Sequence, residues 1–139
     1  MPDIVLDTNV VLRHLLQDHV TQSPAASSLL RRIERGEIEA TLTAVAVAEA
    51  VWVLQGRNYR LSRNDIRDAL LQVVQMPHLH VTDRGVLEHA LVLYGRFNID
   101  FADCFHAAVV RALGSAVYSF DHDFDGLPGI TRIEPPATA

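Results

Sequence analysis

The sequence predicts an α/β fold, a three-layer sandwich in which a mostly parallel central sheet is flanked by helices. Short apolar runs typical of buried strands alternate with longer segments whose apolar residues recur every three or four positions, as on one helical face. Hydrophobic residues make up 49% of the 139 residues and charged residues 21%, which excludes a disordered or fibrous chain. We expect a single domain over residues 1–139, with residues 134–139 as a flexible tail.

In the first part of the chain, each predicted element has its own start or stop signal. Ile4-Val5-Leu6 is predicted to be a buried strand, and either Thr8 or Asn9 is expected to cap the helix that follows. Ser23-Pro24 predicts the start of a second helix, which stops near Gly36. The elements after it are a strand over 38–41, a helix over about 43–55 ended by Gly56, and a helix that begins at Ser62 and is closed by Pro77.

The second part of the chain continues the alternation of strands and helices. The sequence predicts a strand over 79–81, a helix capped by Asp83, and a helix over about 102–113 stopped by Gly114. A β-rich run over 116–120 leads directly into an acidic loop, and residues 130–133 are predicted to add an edge strand.

Charge and cysteine content exclude several classes of function. All 12 basic residues are Arg, so any mechanism that needs a lysine is excluded, including those of receiver domains and haloacid-dehalogenase-like phosphatases. The net charge of −5 argues against binding nucleic acid by bulk electrostatics, but bound divalent cations would reverse the charge of clustered acids locally. One cysteine, Cys104, excludes an internal disulfide or a cysteine-rich zinc site. We expect neither a signal peptide nor a membrane span of about 18 apolar residues, and a location in the cytoplasm.

Four acids stand where an α/β fold carries its chemistry. Asp7 and Asp121 each follow a predicted strand, at the sheet edge where such folds bind ligands. Asp103 enters a helix rich in Phe and Ala, and Glu49 shares an apolar helical face with Val45 and Trp52. A lone carboxylate among apolar neighbours is costly unless it is paired or bound to a metal. Two plainer explanations stay open, namely that Asp7 only caps a helix and that Glu49 occupies a narrow solvent stripe.

If these strand and helix ends converge, four carboxylates meet in one pocket, and bound cations are needed to make that tolerable. Oxygen ligands favour Mg²⁺ or Mn²⁺ over Zn²⁺, and such a site holds one ion or two. Among the remaining acids, Asp100 is well placed to cap a helix, while Asp123 and Asp125 fit a solvated acidic turn. The alternating acids do not form an EF-hand. A loop that begins at Asp121 has Arg132 at its twelfth position, and a loop that begins at Asp123 has Pro128 where the motif needs Gly.

Four segments, in this order, resemble the motifs of PIN-domain proteins and especially of VapC-type toxins. The first resembles their opening motif, the second their helical acid, the third their acid followed by a helix of small residues, and the fourth their last acidic motif. The segments are Asp7-Thr8-Asn9-Val10-Val11-Leu12-Arg13, Val47-Ala48-Glu49, Asp103-Cys104-Phe105-His106-Ala107-Ala108 and Ser119-Phe120-Asp121-His122-Asp123-Phe124.

The resemblance implies a metal-dependent endoribonuclease that uses Mg²⁺ or Mn²⁺ and is the toxin of a toxin–antitoxin pair. A cognate antitoxin protein would hold it inactive, and the toxin would form a homodimer. The mechanism implied is hydrolysis of an RNA phosphodiester by activated water, without a side-chain nucleophile. The resemblance implies that the catalytic residues are Asp7, Glu49, Asp103 and Asp121. The same four acids, together with Asp123, are implied as metal ligands. The polar groups implied to orient ligands or water are Thr8, Asn9 and Ser119.

Other residues near these motifs are expected to have structural roles. Cys104 is predicted to be a core thiol, His106 a partly buried histidine, and His122 an exposed loop residue. The densest basic stretch contains Arg57, Arg60, Arg63 and Arg67, with Tyr59 among them. It is suited to RNA phosphates and bases, to an acidic partner segment, or to no ligand at all as a solvated surface.

The alternative hypothesis for the whole chain is a non-catalytic PIN-like module that binds RNA or a protein partner, with its acids structural or only metal-binding. The presence of all four acids argues against this alternative. The two hypotheses are separated by whether Mg²⁺ or Mn²⁺ supports RNA cleavage that Asp7→Asn abolishes.

Overall fold

A computed structural model describes residues 4–137 of the chain. Within these residues lie six α-helices, four short strands and one 3-10 helix. The chain divides into two compact units, Met1–Arg84 and Gly85–Ala139, and the strands pair in parallel in both. An α/β fold with parallel strand pairing is therefore confirmed. The single domain over residues 1–139 stays a prediction, as does the flexible tail, whose last two residues lie outside the described part.

The first unit is a parallel strand pair with four helices that precede, separate or follow its strands. Ala40 is opposite Leu79 and Leu42 is opposite Val81 in this pair, and Val5 adds an isolated parallel bridge to Thr41. The elements are α1 (Thr8–Leu16), α2 (Gln22–Glu34), β1 (Ala40–Leu42), α3 (Ala44–Gln55), α4 (Arg63–Val74) and β2 (Leu79–Val81).

The run Ile4-Val5-Leu6 does form a parallel connection, but the prediction that all of it is buried is wrong. The amide of Leu6 donates to the carbonyl of Thr41 at 2.9 Å, and the amide of Thr41 donates to the carbonyl of Ile4 at 2.8 Å. Leu6 is buried, whereas Ile4 and Val5 are exposed. Of the three side chains in this segment, only that of Leu6 packs into the core.

Two predicted helix starts are also wrong by one or two residues. The residue that precedes α1 is Asp7 rather than Thr8 or Asn9, and its side chain makes no capping hydrogen bond. Helix α2 begins at Gln22, one residue before Ser23, because the ring nitrogen Nδ1 of His19 accepts the amide proton of Gln22 at 3.0 Å. The predicted cap of α4 is confirmed, since Ser62 Oγ accepts from the Asp65 amide at 3.1 Å.

The second unit places a long helix beside a short parallel strand pair. Val117 is opposite Arg132 and Tyr118 is opposite Ile133, so the predicted edge strand exists and lies next to the strand that leads into the acidic loop. That loop is a 3-10 helix, His122–Gly126. The other elements are α5 (Arg84–Arg96, which starts at the unit boundary), α6 (Phe101–Leu113), β3 (Val117–Tyr118) and β4 (Arg132–Ile133).

Aromatic and small side chains form the core of this second unit. Tyr94 and Phe101 are buried and meet edge to face, with ring centroids 6.0 Å apart. Cys104 is wholly buried, and its thiol donates to the carbonyl of Ile99 at 3.7 Å. The prediction of a core thiol is confirmed. Across residues 4–137, every helix is too short or too polar to cross a membrane.

Candidate metal centre

Three carboxylates gather in the second unit, one from α6 and two from the segment that follows β3. Ligand atoms of Asp103, Asp121 and Asp123 all lie within 4.8 Å of one another. Asp103 is half-buried in the first turn of α6, while Asp121 and Asp123 are exposed. The structure thus brings together three of the five acids that the resemblance implies as metal ligands.

Hydrogen bonds from side chains to the backbone fix the segment that carries Asp121 and Asp123. The hydroxyl oxygen of Ser119 accepts the amide proton of Asp121 at 2.9 Å. One carboxylate oxygen of Asp121 accepts the amide proton of Asp123, also at 2.9 Å, and so begins the 3-10 helix. Ser119 was expected to orient ligands or water, and in the structure it binds the backbone of a candidate ligand.

Burial and neighbouring charge act together on Asp103. Its pKa lies above the ordinary value of 3.8, first because burial disfavours the ionised carboxyl and next because the charge of Asp121 is close. Asp100 and Asp123 raise this pKa further, while His106 lowers it. A divalent cation at the cluster would favour the ionised form of all three carboxylates. His106 is exposed, so the expectation that it is partly buried is wrong.

In the first unit, Asp7 and Glu49 line one depression. Asp7 follows the bridge at Val5, and Glu49 lies on α3, which begins directly after β1. The start of α3 is capped by Thr43, whose Oγ1 accepts from the Ala46 amide at 3.2 Å. The other residues that line the depression are Val5, Leu6, Thr8, Thr43, Val45 and Ala46.

The structure tests the plainer explanation of Asp7, which is that it only caps a helix. Asp7 occupies the capping position of α1, but its side chain makes no capping hydrogen bond, so capping does not account for the carboxylate. Of the two residues implied as orienting groups beside it, Thr8 is buried and Asn9 is exposed. That Asp7 and Glu49 form one site with the carboxylates of the second unit stays a prediction.

The argument that Glu49 is buried among apolar neighbours is wrong. Glu49 is exposed, as are Val45 and Trp52, which keep 74% and 51% of their surface accessible. The core-facing side of α3 consists of Ala46, Val47, Ala50, Val51 and Leu54, so positions 45, 49 and 52 form the exposed stripe of the plainer explanation. What still favours a functional Glu49 is its place in the depression with Asp7.

Arg132 is the residue near the cluster that the sequence analysis missed. Its Nε lies 2.9 Å from Oδ1 of Asp125 and its Nη2 lies 3.3 Å from Oδ2, which is a two-point ion pair. Hydrogen bonds from Arg132 and His122 hold the pKa of Asp125 below its ordinary range. His122 is therefore more than an exposed loop residue, since its Nδ1 lies 3.0 Å from Asp125. The sequence signal that could have predicted this contact is an arginine in the predicted edge strand, close in sequence to the alternating acids.

The basic stretch of the first unit is partly engaged with its own neighbours. The hydroxyl of Tyr59 donates to Asp18 at 3.2 Å, and Arg67 pairs with Asp68 at 2.9 Å. Arg57 and Arg60 are exposed. These contacts occupy part of the stretch, and its use as a phosphate-binding surface stays a prediction.

Comparison with known proteins gives one match. Residues 4–130 match the family model described as PIN domain. No curated protein and no solved structure matches the chain. Proteins with this domain are generally nucleases that use a divalent metal ion, and a cluster of three carboxylates is compatible with that chemistry.

Proposed function

Because this chain belongs to the PIN-domain family, we propose that it is a metal-dependent endoribonuclease that hydrolyses RNA phosphodiester bonds. The observation that carries this proposal is the gathering of Asp103, Asp121 and Asp123, whose ligand atoms lie within 4.8 Å of one another. Three like charges at this spacing repel each other unless protons or cations neutralise them. At neutral pH, a divalent cation is the natural counter-charge.

The donor set suits Mg²⁺ or Mn²⁺. All three side chains offer carboxylate oxygens, the ligands that these hard cations prefer, and the cluster contains neither the thiolates nor the imidazoles typical of zinc sites. Asp121 and Asp123 are exposed, which leaves the cluster accessible to a phosphate group of a substrate. Asp103, Asp121 and Asp123 are thus the residues that would hold the cation.

In the proposed mechanism, the carboxylates of the chain would hold the cation and orient the attacking water, and the electrophile is the phosphorus atom of the RNA phosphodiester. When bound, such an ion polarises the phosphoryl oxygen and lowers the pKa of water. Asp7 and Glu49, which line one depression of the first unit, are proposed as further catalytic acids that would orient the attacking water. Cys104 takes no part, because its thiol is wholly buried.

The test is cleavage of total cellular RNA by the purified chain, free of any bound partner, with Mg²⁺, with Mn²⁺ and with EDTA. We expect discrete cleavage that EDTA, Asp7→Asn and Asp103→Asn each abolish. Glu39→Gln is the matched control, since it removes one exposed acid outside both acidic groups. Equal cleavage by the Asp variants would indicate a contaminant. Binding of RNA or Mn²⁺ without cleavage would favour the non-catalytic module, and cleavage of DNA alone would change the substrate class.

The biological role that we propose is that of a cytoplasmic VapC-type toxin held inactive by a cognate antitoxin protein. Induced expression should arrest growth, and the arrest should vanish with Asp103→Asn and upon co-expression of the antitoxin. The proposal includes a homodimer. Exposed Val45 and Trp52 on α3 offer apolar surface for protein contacts, so Trp52→Ser should lower the mass measured by light scattering if α3 is the dimer face.

A further inference from the structure

The segment that carries Asp121 and Asp123 is anchored at both ends by one side chain. Nη1 of Arg132 donates to the carbonyl of Ser119 at 3.0 Å, two residues before Asp121. Nε and Nη2 of the same guanidinium donate to the carboxylate of Asp125, two residues after Asp123. The two candidate ligands therefore lie between two attachment points of a single planar group.

The position of Arg132 explains why this anchor is well defined. Arg132 is the first residue of β4 and is paired with Val117 of β3, and only 12% of its side chain is accessible. The backbone on both sides of this pairing is hydrogen-bonded, because the Val117 amide donates to Thr131 and the Ser119 amide donates to Ile133. A guanidinium has five donors in a fixed planar fork, so bonds in several directions hold it in one orientation.

His122 joins the same network from within the segment. Its Nδ1 lies 3.0 Å from Oδ2 of Asp125 and 3.1 Å from Nη2 of Arg132. When Nδ1 carries a proton it donates to Asp125, and when it does not it accepts from Arg132, so the ring stays bound in either form. His122 stands directly between Asp121 and Asp123, and its contacts therefore restrict both neighbours.

We propose that Arg132 is the positioning residue of the metal centre: it binds both ends of residues 119–125 and thereby holds Asp121 and Asp123 beside Asp103. This inference rests on the proposed function, because it assumes that the three carboxylates bind a divalent cation. Residues that hold metal ligands in place typically contribute roughly 10- to 100-fold in metal affinity or activity.

Arg132 could affect cation affinity through its charge or through its hydrogen bonds to the segment, and the two roles predict opposite effects. Substitutions at Arg132 therefore distinguish the two roles. A positive charge close to the cluster repels a cation, so a purely electrostatic Arg132 would weaken Mn²⁺ binding and its removal would strengthen it. A positioning Arg132 strengthens Mn²⁺ binding, so its removal would weaken it. Arg132→Met removes both the charge and the fork, whereas Arg132→Lys keeps the charge and removes only the fork.

The experiment measures Mn²⁺ affinity by electron paramagnetic resonance and calorimetry, with folding checked by thermal unfolding. We expect Arg132→Lys and Arg132→Met to weaken Mn²⁺ binding by roughly tenfold or more. Asp125→Asn should also weaken Mn²⁺ binding. Combining it with Arg132→Lys should lower the affinity little further, because both substitutions remove the same interaction, the ion pair of Arg132 with Asp125. Arg111→Met is the control for charge, since Arg111 is exposed near the end of α6, and it should change the affinity by less than about twofold.

A second readout needs neither metal nor RNA. Backbone order parameters of residues 119–125 in the metal-free protein should fall from about 0.85 toward 0.6 in Arg132→Lys and stay unchanged in Arg111→Met. Unchanged order, or tighter Mn²⁺ binding by Arg132→Met, would overturn the positioning role. A wild-type protein that binds Mn²⁺ but cleaves no RNA would refute the proposed function alone, since affinity and order still decide the role of Arg132. A wild-type protein that binds no Mn²⁺ would overturn both.

Discussion

The acidic groups of the two units are prepared for a ligand to different degrees. In the second unit, three carboxylates lie within 4.8 Å of one another, on a backbone that Ser119 and Asp121 hold by hydrogen bonds. In the first unit, Asp7 and Glu49 line an open depression, one at a helix start and the other on an exposed stripe of α3. Two carboxylates leave a cation with most of its coordination sphere to be filled by other groups.

The difference indicates a division of labour within the proposed nuclease. We infer that the cluster of three carboxylates would hold the divalent cation, because groups that already lie close together lose less conformational entropy on binding. A pair in an open depression is better suited to contacts with water and substrate. If this inference holds, substitutions in the second unit reduce mainly the affinity for the cation, and substitutions in the first unit reduce mainly catalysis.

The largest effect is expected for Asp103→Asn in the second unit. Loss of the half-buried carboxylate should lower Mn²⁺ affinity by roughly a hundredfold or more, above the loss typical of residues that only support ligands. RNA cleavage should fall by at least the same factor. Calorimetry and a cleavage assay at saturating substrate measure the two effects. An Asp103→Asn protein that binds Mn²⁺ as the wild type does would show that the cluster is not the metal centre.

In the first unit, Asp7→Asn should separate binding from catalysis. We expect RNA cleavage to fall by about a hundredfold or more, the loss of several kcal/mol of transition-state stabilisation. Mn²⁺ affinity should fall by less than about tenfold, because the three carboxylates of the second unit remain. If Asp7→Asn weakened Mn²⁺ binding as much as Asp103→Asn does, the acids of both units would hold the cation and the proposed difference between the units would be wrong. Glu39→Gln should leave both quantities unchanged.

Periodicity was sufficient to predict the helices and the parallel strand pairing. Apolar spacing and the terminators Gly56 and Gly114 placed α3 and α6 to within a few residues, since these signals are local. The start of α2 was misplaced because its cap comes from the His19 ring, a side chain outside the usual capping residues. Such a cap depends on the path of the preceding turn, which sequence spacing does not specify.

The sequence predicts acids of the candidate site but not the arginine that binds the segment carrying two of them. Acids at strand ends and in apolar helices are unusual, which points to Asp121 and Asp103, whereas Asp123 is implied only by the family resemblance; the structure brings these three together. The burial expected for Glu49 is wrong, because α3 is apolar nearly all round and the sequence alone does not indicate which stripe of this helix faces solvent. Arg132 was missed because its role depends on the pairing of β3 with β4, and that pairing is a tertiary contact.

A smaller effect is expected on the pH dependence of Mn²⁺ binding. The cation binds ionised carboxylates, and Asp103 has a raised pKa, so protons compete with Mn²⁺ up to a higher pH than an ordinary Asp would allow. Affinity should fall as the pH drops through the pKa of Asp103, by at most about tenfold per pH unit for one competing proton. Asp100→Asn removes one of the charges that raise this pKa and should move the fall to lower pH. An identical pH profile for Asp100→Asn and the wild type would contradict this.

The smallest expected effect is a gain in stability for Asp103→Asn in the metal-free protein, because its raised pKa makes the ionised carboxyl unfavourable in the folded state. Between the ordinary Asp pKa of 3.8 and the raised pKa of Asp103, the folded state binds more protons than the unfolded state. The contribution of Asp103 to the free energy of unfolding therefore falls as the pH rises through this window and remains unfavourable at neutral pH. With EDTA at pH 7, Asp103→Asn should raise the free energy of unfolding by a few tenths of a kcal/mol, the size typical of partly exposed charges. Urea unfolding measures the change, and Glu39→Gln should show none.

Saturating Mn²⁺ should reverse the order of stability of the wild type and Asp103→Asn, because only the wild type is stabilised by the bound ion. A metal-free wild type that is more stable than Asp103→Asn at pH 7 would contradict the unfavourable contribution that the raised pKa of Asp103 implies.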